Sequence, residues 1–101
     1  MQLPLSDARA VRMIQALLAA ADPLDRMSGG AVAACYEPLA VLVFDALRHG
    51  ADLRRLILLI SEHAQGGQGE AASLGPVVAF AHASLDWWAI AEARWNDPLA
   101  V

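Results

Sequence analysis

The sequence predicts an all-α fold, a small and mainly antiparallel four-helix bundle, and three observations carry that expectation. Apolar residues recur at spacings of three and four through most of the chain, the alternation that marks half-buried strands is absent, and Pro and Gly divide the helical stretches at short intervals. With 101 residues the chain has the length of one domain and no room for a second.

The first helix is expected over residues 7–21. Ser6 is a good N-cap, Asp7 makes an acidic first turn, and Val11, Ile14, Leu17, Leu18 and Ala21 form the inward stripe with Arg9, Arg12 and Gln15 outward. Asp22 before Pro23 stops it, because the residue preceding proline is pushed out of the helical region. The same pair can start a short second turn, with Asp22 as its cap and Pro23 at its first position.

Gly29 and Gly30 lead into a second helix over residues 31–49, with Val32, Tyr36, Leu39, Val43 and Leu47 on one face and Glu37, Asp45, Arg48 and His49 on the other. Pro38 lacks the amide that would bond the carbonyl of Ala34, so a kink or break is expected there, and a break raises the helix count to five. Gly50 ends the helix. A third helix follows over 51–65, with Leu53, Leu56, Ile57, Ile60 and Ala64 as its stripe. Residues 66–70 read as a flexible connection, a fourth helix spans 76–96 with Pro76 in its first turn, and 97–101 form a tail.

Composition narrows the function. Hydrophobic residues make up 57% of the chain and charged ones 18%, against globular norms of roughly 45–50% and about 25%. That surplus is more than one small core hides, which points to a second chain covering part of the surface and to a homodimer. The net charge of −4, with no Lys, argues against a nucleic-acid binder, whose affinity comes from cations on phosphates. Arginine without lysine beside so much Ala and Leu also suits a GC-rich bacterial or phage gene.

The longest uncharged run, residues 71–85, is short of the roughly 20 residues of a membrane span. Arg9, Arg12 and the apolar stretch after them have the outline of a signal peptide, but Asp7 and Gln15 interrupt it, so the expected compartment is the cytoplasm. The single Cys35 forms no internal disulfide and reads as a small buried hydrophobe.

Catalytic and metal chemistry find little support. His82 and Asp86 have ligand spacing on one helix face, a pattern equally common in surface pairs, and no Glu-x-x-His occurs. No serine sits in a nucleophile motif, Glu37 and Asp45 are too far apart for a concerted pair, and no cofactor motif is present. A helix-turn-helix deserves a test, because Ala46, Gly50, Leu56 and Leu59 have its packing spacing and Arg48, Arg54 and Arg55 would contact DNA. In that register Ile57 and Leu58 point outward where polar side chains should meet bases.

What remains is an interaction surface. Leu58 shares a face with Arg54 and Arg55, outside a core stripe already complete without it. In the fourth helix Val77, Ala81, Ser84, Trp88, Ala91 and Trp95 form the core stripe, whereas Trp87, Phe80, Ile90 and Arg94 are expected at the seam with a second chain. Ala79, Ala83, Ala89 and Ala93 make a smooth opposite face. The function expected is a non-enzymatic, cytoplasmic, protein-binding regulator or inhibitor, without cofactor or metal; small helix-turn-helix regulators and ligand-binding bundles are the alternatives.

Overall fold

In the computed structural model the described residues are 7–27, 30, 32–66 and 73–95, with backbone only at Arg94 and Trp95. All regular structure among them is helical: α1 Asp7–Ala21, a 3-10 turn Ala33–Tyr36, α2 Glu37–Arg48, α3 Leu53–Gly66 and α4 Leu74–Trp95. Ser6, most of the expected connection 66–70 and the tail 97–101 lie outside the described residues.

Helix α1 has its expected bounds, and its ending is a left-handed cap. Asp22 takes φ 50°, its amide donates to Leu18 O at 2.7 Å, and Pro23 follows. The expected short helical turn after Pro23 is instead a β-turn, closed by the amide of Asp25 on Asp22 O at 3.0 Å. The Asp22 carboxylate still caps, but further along: it accepts from the amide of Arg26 at 2.8 Å and from that of Met27 at 3.1 Å.

The chain breaks just before Pro38. What precedes it is one 3-10 turn, not a fifth α-helix, and Pro38 sits in the first turn of α2, where a missing amide costs nothing. Val32, expected in the core stripe, is therefore exposed, because the break removes the helical register that would have aligned it with Tyr36.

Gly50, with φ 81°, ends α2 in a Schellman arrangement: Ala51 N–H donates to Ala46 O at 3.0 Å and Gly50 N–H to Leu47 O at 3.1 Å. Asp52 then caps α3 through its carboxylate on the amide of Arg55, at 2.9 Å. Helix α4 starts two residues earlier than expected, after Ser73, whose carbonyl accepts from Val77 N–H at 3.0 Å.

The four helices pack in a ring, α1 on α2 and α4, and α3 on α2 and α4. The core runs through Ile14 and Leu18 of α1, Leu39, Val43 and Leu47 of α2, Leu56 and Ile60 of α3, and Val77, Phe80 and Ala81 of α4. Arg48 Nη1 lies 3.8 Å from Asp7 Oδ2, which brings the start of α1 to the end of α2.

The segment between α1 and α2 is pinned by Tyr36. Its ring is fully buried, its hydroxyl donates to Asp22 Oδ1 and accepts from Leu24 N–H at 3.2 Å. Arg26 lies 5.1 Å above the ring and donates through Nη1 to Cys35 O at 2.8 Å. Burial and then the hydrogen bond to Asp22 raise the Tyr36 pKa above the usual phenol range. Cys35 itself is half-buried in the 3-10 turn, rather than inside a helix.

Candidate interaction surfaces

Helix α4 is apolar nearly all round, and the structure divides its faces. Val77, Phe80, Ala81, Ser84 and Ala91 are buried; Ala79, Ala83, Ala89, Ile90 and Ala93 face outward with His82, Asp86 and Glu92. Ser84 satisfies its buried hydroxyl by donating to Ala81 O at 3.0 Å within the helix.

Phe80 lies inside and not at a seam. Expected at a seam with another chain, it is 0% exposed and part of the core. It lies three residues after Val77 and four before Ser84, so it belongs to the same inward stripe that those two define.

The paired tryptophans, expected to divide into one core and one surface ring, are both half-buried against the core. Their centroids are 6.0 Å apart with planes at 47°, and Trp88 stands edge-on to Phe44 at 6.0 Å. Ile90 projects from the outer face with 65% of its surface exposed. The side chains of Arg94 and Trp95 lie outside the described residues.

A second surface lies between α2 and α3. A cleft of about 390 Å³ has an apolar floor of Leu42, Ala46, Ala51 and Leu59, with Asp45 and His49 on the α2 wall and Arg55 on the α3 wall. Leu42 in the cleft is 44% exposed; Val41 of α2 and Leu58 of α3, outside its lining, are exposed as well, Leu58 to 45%. Arg54 and Arg55 both point to solvent. His49 Nδ1 is 2.7 Å from Asp45 O and 3.6 Å from Asp45 Oδ1. Of the cleft lining the sequence singled out Arg55 as a contact and missed Leu42; Arg54 and Leu58, expected as contacts too, lie outside the lining. The available signal was the place of Leu42 on α2, three residues before Asp45 and off the stripe of Leu39, Val43 and Leu47.

The helix-turn-helix geometry is only partly met. Ala46 and Leu59 pack between the helices, yet Ile57 is half-buried against the core and only Leu58 of that pair is outward. Arg48 is drawn to Asp7 and stacks 5.4 Å over Phe44, which takes it from the basic patch it was expected to share with Arg54 and Arg55.

Among the described residues no three His, Cys, Asp or Glu side chains converge as metal ligands, and His82 and Asp86 are exposed on α4. No described helix is long and apolar enough to cross a membrane. Compared with protein-family models, with characterised proteins and with solved structures, the chain matches none.

Proposed function

We propose that this chain is a non-enzymatic protein-interaction module: a mainly antiparallel bundle that dimerises and that regulates or inhibits a protein partner through the outer face of α4. The observation that carries the reading is Ile90, 65% exposed on a face where Ala79, Ala83, Ala89 and Ala93 stand beside the polar side chains of His82 and Asp86. Small side chains let another helix approach closely, and one large apolar side chain among them supplies an anchor. Trp87 stands half-buried nearer the core and completes the edge of that anchor.

Adaptors, anti-activators, immunity proteins and phage-borne inhibitors share this size and acidity, and a net charge of −4 favours encounter with a basic target surface. Such a module works in the cytoplasm of a bacterium, with no cofactor. A DNA-binding helix-turn-helix fits the tight turn at Gly50, but Leu58 occupies the place of a base-reading side chain and Arg48 is engaged by Asp7.

The test uses the purified chain as bait in an extract of the cells that express it, beside Ile90→Asp. One protein retained in near-stoichiometric amount by the wild type and lost by Ile90→Asp, at unchanged helical circular dichroism, is the expected result. Equal retention by both overturns the α4 face, and retention by neither overturns the module.

A further inference from the structure

We infer that the cleft between α2 and α3 is the seam along which two copies of this chain associate about a two-fold axis. The inference rests on the reading of the chain as an interaction module, and it assigns self-association to a surface separate from Ile90.

The cleft carries opposite charges on opposite walls. Asp45 stands on α2 and Arg55 on α3, both exposed, with the apolar floor between them. Among the described residues Arg55 has no ion pair, and the cation nearest to Asp45 is His49 at 3.6 Å, charged only when protonated. Each wall is thus left with a charge that the chain itself does not neutralise well.

A two-fold axis through the cleft carries each wall of one protomer onto the opposite wall of its partner. Asp45 then faces Arg55 of the partner subunit, and the same contact is made a second time by symmetry. The operation also sets Leu42 against the apolar floor of the other copy, removing from water one of the large side chains that the single chain leaves exposed. An unrelated protein would need base and acid in matching order to do this. A second copy has that order by construction.

Light scattering or sedimentation over a concentration series tests the seam on the full chain. The wild type should reach twice the 10.7 kDa of one chain. Asp45→Arg and Arg55→Asp, each setting like charges face to face, should weaken association about tenfold or more, equivalent to roughly 1.4 kcal/mol. The double variant D45R/R55D should recover most of the loss, and all three should keep wild-type helicity because both positions are exposed. A wild type that stays at monomer mass overturns the inference, as do single reversals without effect or a double variant without recovery. Ile90→Asp should leave the mass unchanged. A dimer broken by Ile90→Asp and untouched by the cleft reversals would sink this seam while leaving the interaction module in place; failure of the module itself is read separately, in the extract experiment.

Discussion

Asp22 ends α1, receives the amides of Arg26 and Met27, and holds the hydroxyl of Tyr36, all with a backbone at φ 50° that Asp tolerates better than most side chains. The local signal for this was the Asp-Pro pair, which announces a stop. The long reach to Tyr36 was not legible, because a contact across fourteen residues depends on where the 3-10 turn lands. Tyr36→Phe removes both hydroxyl bonds and leaves the Leu24 amide buried without its acceptor, so it should cost about 1–3 kcal/mol in urea unfolding. The pH dependence has a definite sign. The folded phenol holds its proton beyond the unfolded value of about 10, so the stabilisation is complete below that pH and is lost as pH rises towards the higher folded pKa. Because Tyr36 is the only tyrosine, its phenolate absorbance should appear above the usual range in the folded chain, and Tyr36→Phe should flatten the alkaline fall in stability.

Elements defined by local chemistry were largely readable. The bounds of α1 follow from Asp7 and the Asp-Pro stop, and Pro38 marked the break in the second helical stretch. What Pro38 could not tell was the fate of the residues before it: four of them make a 3-10 turn, a conformation with little sequence signature of its own. In α4 periodicity lost its power, since with apolar residues on every side the inward stripe has several nearly equal placements, and Phe80 was assigned to its flank. The junction of α2 and α3 concentrates two separable contributions. Gly50→Ala meets open space around a new Cβ but must keep φ 81°, so it should cost about 1 kcal/mol and lower Tm by roughly 4 °C or more. Asp52→Ala removes the cap on Arg55 N–H and should cost about 1 kcal/mol by the same measurement.

At the scale of the molecule the ring of four helices follows from short connections and amphipathic stripes, whereas the cleft does not. Its shape depends on how α3 lies against α2, and only Arg55 of its charged rim was singled out beforehand as a contact. Two neighbouring leucines separate core from surface: Leu56→Asp buries a charge at a position with 0% exposure and should unfold the chain, while Leu58→Asp, on a 45% exposed side chain, should keep helical circular dichroism and weaken association. Loss of helicity in both would place Leu58 in the core. One hydrogen bond gives the whole assembly a reporter. The amide of Ser73 donates to Pro23 O at 3.1 Å, so the first residue before α4 is fastened to the turn that follows α1. Ser73 is exposed as a side chain, yet its amide proton is protected from exchange for as long as its bond to Pro23 O holds. Its exchange rate in deuterated water therefore reads the opening of the join between the start of α4 and the turn after α1.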